Sequence, residues 1–319
     1  MRSPVLFLVF NRPNSTRQVF DAIRSARPSK LYIAADGPRA NRPLEANLCD
    51  EVRDIALSVD WPCQVNTLFR EDNLGCKRGV SEAITWFFDR EDEGIILEDD
   101  VLPVPTFFRF CDDMLERFRS DTRVSMISGC NLISRHYAPK QSYFFSRYSH
   151  IWGWATWRRA WQHYDVAMTQ WPVWRDQHGL DEISGGRRLF KRHWRHIFDA
   201  VYHGGIDTWD YQWTFAIWRV GGLAISPAVN QTHNLGFGVD ATHTTDAAPG
   251  YVVESRPRLL KWPLIEPDLV KRDARADRLI ESKVFGITPI SVIKGYLRRL
   301  RTLGRAGFTK VAQRLEAIL

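Results

Sequence analysis

Residues 94–103 read Gly94-Ile95-Ile96-Leu97-Glu98-Asp99-Asp100-Val101-Leu102-Pro103. The apolar run is that of a buried strand, and three adjacent carboxylates close it. Side by side at a strand end they repel one another and resist desolvation, so a fold that keeps them there has a use for a cation. The competing reading is a cluster that caps the helix expected downstream, since acids favour helix starts.

Working outward from this strand, apolar and amphipathic stretches alternate through the first ~130 residues, the signature of βαβ units around a mostly parallel sheet. Strands are expected over Val5 to Phe10, Leu31 to Ala35, Gln64 to Phe69, Gly94 to Leu97 and Val124 to Ser128. Helices are expected over Ser15 to Ala26, with Asn14 or Ser15 as N-cap, and over Glu45 to Leu57, Lys77 to Asp89 and Thr106 to Phe118. Each strand runs into a polar junction: Asn11-Arg12, Asp36-Gly37, Arg70 to Gly75, and Glu98-Asp99-Asp100. In open α/β sheets the carboxyl ends of strands line the ligand crevice. From Tyr143 onward tryptophan becomes dense, with Trp152, Trp154, Trp157, Trp161, Trp171 and Trp174 in one segment.

The chain has 319 residues, 44% of them hydrophobic and 13% aromatic, enough for one large core or two modest ones. Cys49, Cys63, Cys76, Cys111 and Cys130 are scattered and lack paired CxxC spacing, which points to free thiols in a reducing compartment. The apolar run after Met1-Arg2-Ser3 stops at Asn11-Arg12-Pro13 without a small-residue cleavage site, and no stretch reaches the ~20 apolar residues of a membrane span. A cytoplasmic location is expected. The formal charge of +7 suggests anionic partners, and much of the excess lies in Lys294, Arg298, Arg299, Arg301, Arg305, Lys310 and Arg314. Leucines recur there at helical spacing, so this tail is expected either to lie on anionic lipid at the inner face of a membrane or to pack on the body as a helix with a solvated face.

No glycine-rich phosphate loop of either common kind is present, and Gly75-Cys76-Lys77-Arg78-Gly79 has neither spacing. A nucleotide would have to be held through a metal. Leu97-Glu98-Asp99-Asp100 followed by Pro103 resembles the DxD-type motif of GT-A fold nucleotide-sugar glycosyltransferases, in the E-D-D form of the N-acetylglucosaminyltransferase I family. Further stretches resemble that fold and family 2 inverting enzymes in order: Leu8 to Pro13 its first strand and nucleotide-contacting arginine, and Ile33 to Gly37 its second strand and base-reading aspartate. Ser146 to Trp154 is similar to its glycine-tryptophan segment beside the donor sugar, and Trp209-Asp210-Tyr211-Gln212-Trp213 to its catalytic-base helix.

The resemblance implies a Rossmann-like central sheet with residues 1–130 as the nucleotide-sugar-binding half and 131–250 as the acceptor and catalytic-base half of one domain. Residues 251–319 would be an extension with basic amphipathic helices. It implies a divalent ion, Mn2+ or Mg2+, on Asp100, with Asp99 near the ribose and Glu98 facing the sugar. Asp210 would be the general base, with Asp207 as competitor and a cap or an ion pair with Arg219 as the structural alternative. Arg12 and Asp36 would hold the nucleotide. Arg78 and Lys77 would either reach the diphosphate or stay solvated. Of the tryptophans, Trp152 or Trp154 is expected to reach the site, and His233 and His243 mark a glycine-containing loop that would close over the donor or hold ordinary loop contacts.

The expected function is therefore metal-dependent inverting transfer of a sugar from a nucleotide-diphosphate donor, expected to be UDP-linked, to a glycan or lipid-linked acceptor. A sugar nucleotidyltransferase is the second enzymatic reading, although Leu8 to Asn14 lacks its basic glycine-rich loop. A nucleic-acid-binding protein, using the positive charge and exposed aromatics, is the reading from another class.

Overall fold

The computed structural model describes residues 1–237 and 249–289. The chain opens with β1 (Val5–Val9), α1 (Pro13–Ala26), β2 (Lys30–Ala35), α2 (Glu45–Leu57), β3 (Gln64–Phe69), α3 (Gly75–Phe88) and β4 (Glu93–Glu98). Next come β5 (Val101–Pro103), α4 (Pro105–Arg117), β6 (Val124–Ser128), β7 (Tyr143–Ser146) and β8 (Trp154–Trp157). Helices then dominate: α5 (Arg158–Trp161), α6 (Trp171–Asp176), α7 (Gly179–Ser184), α8 (Arg188–Tyr202) and α9 (Asp210–Arg219). The described chain finishes with β9 (Leu223–Pro227), β10 (Thr232–Asn234), α10 (Gly250–Glu254) and α11 (Ala274–Lys283).

Eight strands form one sheet in the order β3-β2-β1-β4-β8-β6-β9-β7. The pairs β3–β2, β2–β1 and β1–β4 are parallel, as is β6–β9, while β8 runs antiparallel to both β4 and β6 and β7 antiparallel to β9. Strand alternation sorts the core into two layers. Val5, Phe7 and Val9 of β1 meet Val19, Phe20 and Ile23 of α1, Val52 and Ile55 of α2 and the phenylalanines of α4. Leu6 and Leu8 face the other way, onto Ile84 and Phe87 of α3 and the tryptophans of α5, α8 and α9. The result is a mixed α/β fold with a large, mostly parallel central sheet covered on both faces.

Two local expectations change. Helix α1 starts earlier than expected, with Pro13 in its first turn, Arg12 at the cap position and no side-chain cap; a proline is well suited to that turn because it has no N–H to satisfy. The segment after the three acids is a strand rather than a direct helix start: β5 pairs antiparallel with β10, placing Val101 opposite Asn234 and Leu102 opposite His233. At the far end, α11 folds back on the sheet through buried Asp277, which accepts from the Ser146 hydroxyl at 2.6 Å and pairs with Arg147 at 3.3 Å. No helix among the described residues is long and apolar enough to cross a membrane. The basic tail beyond residue 289, like His243, lies outside the described residues.

Candidate active site

The first four parallel strands run β1 to β2 to β3 outward in one direction, and the chain then crosses back to lay β4 on the other side of β1. That reversal opens a crevice beyond the carboxyl ends of β1 and β4, the place where such sheets bind ligands. Phe10 to Arg12 and Glu98 to Asp100 are the residues that emerge there.

They are tied together at once. The Phe10 backbone N–H donates to Asp99 Oδ2 at 3.0 Å, and the Arg12 guanidinium donates to Asp99 Oδ1 at 3.0 Å and to Asp100 Oδ2 at 2.6 Å. Asp99 is 4% exposed, so its charge is held away from water. Burial, opposed by Arg12 but reinforced by Asp100, pushes its carboxyl up to about 7. Burial followed by repulsion from Asp100 and Asp99 drives Glu98 well above the usual carboxylate range, with Asp210 adding to the effect. Three carboxylates stand against one guanidinium, and burial is the first cause of both shifts, with carboxylate repulsion adding to that of Glu98.

Asp210 reaches this group from the other half of the sheet. It is the first residue of α9 and accepts from the Thr208 hydroxyl. Beneath it, Trp209 and Trp213 are buried, and the Trp209 ring stacks on Trp154 with centroids 5.7 Å apart. Trp154 is therefore floor and not surface: at 1% exposure, on a strand flanked on both sides, its ring offers no face to a donor. Trp152 is the half-buried member, and it meets Phe237 edge-on at 5.7 Å.

A second wall comes from the start of α3. Asp36, at the end of β2, accepts from the Leu74 N–H at 3.0 Å and the Gly75 N–H at 3.0 Å. Both carboxylate oxygens are thus engaged in fixing the helix start, while burial raises its pKa. Cys76 follows directly in the first turn. Its thiol is pushed up to about 12, first by burial and then by Glu98, Asp210, Asp207 and Asp100, which identifies it as a neighbour of all four carboxylates. Arg78 turns away instead: its side chain is 65% exposed and pairs with Glu82 at 2.9 Å. Lys77 is half-buried in the same turn.

The roof is the chain that leaves β10. The Leu235 N–H donates to the Asp100 carbonyl at 2.7 Å, and the Gly236 N–H donates to Asn234 Oδ1 at 2.7 Å. Gly236 lies against Asp100 so closely that an added Cβ would be 2.2 Å from Oδ2. His233 is exposed on β10.

The structure thus brings together Arg12, Glu98, Asp99, Asp100 and Asp210, and adds Cys76 and Gly236, which sequence reasoning did not single out. Asp36 and Trp154 support the site from beneath, and Arg78 points out of it. Among the described residues no group of three or more His, Cys, Asp and Glu side chains forms a ready-made metal cage. The donor set suits a hard cation that takes one or two carboxylates from protein and fills its other positions with phosphate oxygens and water.

No protein-family model and no curated protein sequence matches this chain. Solved structures similar to it include apo UDP-glucose pyrophosphorylase, at 7% identity over 80% of this chain and 97% of that one, with a TM-score of 0.39. A CMP:2-keto-3-deoxy-manno-octonic acid synthetase complexed with CTP matches at 13% identity over 75% of this chain and 93% of that one, with a TM-score of 0.36. Mouse xyloside xylosyltransferase 1 in its apo form matches at 13% identity over 68% and 81%, with a TM-score of 0.31. Identities and scores this low leave the functional reading to the residues of the site.

Proposed function

We propose that the protein is a glycosyltransferase that moves a sugar from a nucleotide-diphosphate donor, UDP-linked, to a hydroxyl of a glycan or lipid-linked acceptor, with inversion at the anomeric carbon. The observation that carries this reading is the excess of carboxylates at the switch point of the sheet, Glu98-Asp99-Asp100 against Arg12, with Asp210 brought into electrostatic reach from α9. A nucleotidyltransferase would need backbone N–H groups to cradle the triphosphate, and the turn between β1 and α1 is three residues without glycine.

Transfer requires that the acceptor hydroxyl lose its proton as its oxygen attacks the anomeric carbon, while the bond from that carbon to the diphosphate oxygen breaks. Asp210 is assigned the proton: its carboxylate stands at a helix N-terminus and is oriented by Thr208. Glu98, whose carboxyl is pushed well above the usual carboxylate range by burial and by its neighbours, would face the sugar and hydrogen-bond one of its hydroxyls. Asp99 holds the β1 end and Arg12 in place. Asp100 would hold Mg2+ or Mn2+ together with the donor's phosphates, with Arg12 giving up its contact to Asp100 in favour of the nucleotide. Such an ion supplies Lewis-acid neutralisation of the departing diphosphate. The buried tryptophans under Asp210 exclude water from the base side.

Calorimetric titration of UDP into the protein tests this directly. Binding is expected with Mn2+ and is expected to vanish with chelator or in Asp100→Ala. Metal-independent binding of UDP, unchanged in Asp100→Ala, would remove the metal assignment, and binding of no nucleoside diphosphate would remove the reading itself.

A further inference from the structure

A cavity of about 310 Å³ lies where the loops after β6 and β9 meet the end of α10 and the chain that leaves it. Strands β6 and β9 are parallel, so both loops emerge from one edge of the sheet. Two buried asparagines fix these walls. The Asn131 side-chain amide donates to the carbonyls of Pro227 and Ala228, at 2.9 Å each, and the Asn131 backbone N–H donates to Asn230 Oδ1 at 3.0 Å. Asn230 Nδ2 donates in turn to the carbonyls of Thr232 and Ser255. The Arg258 backbone is pinned on both sides, its N–H donating to the Asn230 carbonyl at 2.8 Å and its carbonyl accepting from Gln231 Nε2 at 2.5 Å. The cavity is therefore preorganised, and a ligand does not have to order its walls.

Three arginines stand on this frame. Arg135, Arg256 and Arg258 line the cavity, are exposed, and make no side-chain hydrogen bond or ion pair among the described residues. Glu254 is the one carboxylate in the lining, and it lies 3.2 Å from His136 Nε2. Counted in full against the three guanidiniums, it leaves an excess of two positive charges. The Ser134 hydroxyl, in the same lining, also has no partner among the described residues and is a neutral donor. Like charges gathered around one concave surface repel each other, and a bound anion relieves that repulsion.

A phosphate monoester matches this lining. At neutral pH it carries a charge of about −1.5 to −2 and three acceptor oxygens, whereas a carboxylate has a single charge and two oxygens. The planar fork of arginine meets phosphate oxygens in pairs. We propose that this cavity binds a phosphate monoester, carried either by a soluble small molecule or by the headgroup of an anionic lipid. The volume suits the first source, since small-ligand sites begin at about 300 Å³. For the second, Val253, in the lining, and Leu259, next to Arg258 in the chain, are 60% and 62% exposed and would enter the acyl boundary while the headgroup is held. The site shares no residue with the acidic crevice and stands whether or not the transferase reading does.

The full chain is titrated calorimetrically with glycerol 3-phosphate in metal-free buffer, where the acidic crevice lacks a bridging cation. In parallel it is sedimented with vesicles of phosphatidic acid in phosphatidylcholine, and with phosphatidylcholine alone. Arg135→Gln/Arg256→Gln/Arg258→Gln is expected to weaken binding about 100-fold, at about fivefold for each guanidinium removed. Those side chains hold nothing among the described residues, so the urea midpoint of the variant is expected to match the parent's. Arg135→Lys/Arg256→Lys/Arg258→Lys keeps the charge but not the fork and is expected to bind more tightly than the glutamine variant. Glycerol 3-phosphate binding that the glutamine variant loses supports the soluble ligand. Binding to phosphatidic acid vesicles that is lost in the same way supports the lipid, and Val253→Ser/Leu259→Ser is expected to weaken that arm alone. Binding of neither probe by the parent, or equal binding by the glutamine variant, overturns the proposal. It also falls if a single-stranded oligonucleotide binds through these arginines while neither phosphate probe does.

Discussion

Gly236 has no room for a side chain, because a Cβ there would press on the Asp100 carboxylate at 2.2 Å. Gly236→Ala must displace either the loop or Asp100, at a cost of about 1–3 kcal/mol of local strain. The expected outcome is metal-dependent UDP binding weakened by roughly tenfold, a factor equivalent to about 1.4 kcal/mol. Unchanged binding would show that Asp100 does not hold the ion in this position. Asp210→Asn keeps shape and would remove the base we propose, so kcat is expected to fall by about 10² to 10⁴ with donor KM little altered. A matching loss in Asp207→Asn alone would transfer the role to Asp207. The acids were legible in sequence because their chemistry conflicts with a buried strand end whatever surrounds them, whereas Arg12 was reached only through the family resemblance. Cys76 and Gly236 were not, because nothing local marks them. Their meaning comes from α3 and the β10 loop converging on Asp100, a fact of tertiary packing. Trp154 misled for the converse reason: a tryptophan beside a glycine looks like a sugar platform until β8 is found between β4 and β6.

At the scale of elements, helix α3 begins without a side-chain cap of its own from the residue before it, and the missing acceptor is supplied across space by Asp36. The turn carrying Asp36 is held in return: Gly37 packs so closely on Glu71 that a Cβ would lie 2.3 Å from its carbonyl oxygen. Asp36→Ala strips the acceptor from two N–H groups and is expected to lower stability by about 1–2 kcal/mol in urea unfolding, the range for losing a helix cap. Asp36→Asn retains an acceptor oxygen and is expected to lose less. If both variants were as stable as the parent and differed from it only in preference among nucleotide bases, Asp36 would be a base reader and not a cap. Most elements could be read directly. The bounds of α2, β3 and β6 agree residue for residue with those expected from sequence; α2 and β6 are set by a local apolar pattern. Strand β5 escaped because three residues carry no period, and its partner β10 is remote in sequence. The polar pattern of β3 fits its place at the edge of the sheet, where one side lacks a neighbour.

On the scale of the whole molecule, the sheet separates two aromatic-rich layers, and the layer beneath α9 also contains a buried histidine, His150. His150 lies between β7 and β8 with its ring stacked on Tyr148 at 6.5 Å, and its Nε2 has no hydrogen-bond partner among the described residues. Burial lowers its pKa from the ordinary 6.5 to about 4. The unfolded chain therefore takes up a proton near pH 6.5 that the folded protein refuses until about pH 4, so unfolding binds a proton throughout that window. Stability from this source is intact above pH 6.5 and declines as the pH falls towards 4. Over the full window the loss amounts to about 3 kcal/mol, at about 1.4 kcal/mol for each pH unit. His150→Phe keeps an aromatic ring against Tyr148 and cannot take the proton. Its urea midpoint is expected to fall less than the parent's between pH 7 and pH 4.5, whatever the two midpoints are at neutral pH. Other buried carboxyls, Asp99 and Asp277 among them, titrate in both proteins and cancel in the difference. Parallel curves for the two proteins would mean that the imidazole is protonated in the folded state near neutral pH, and that the core around Tyr148 admits water to it.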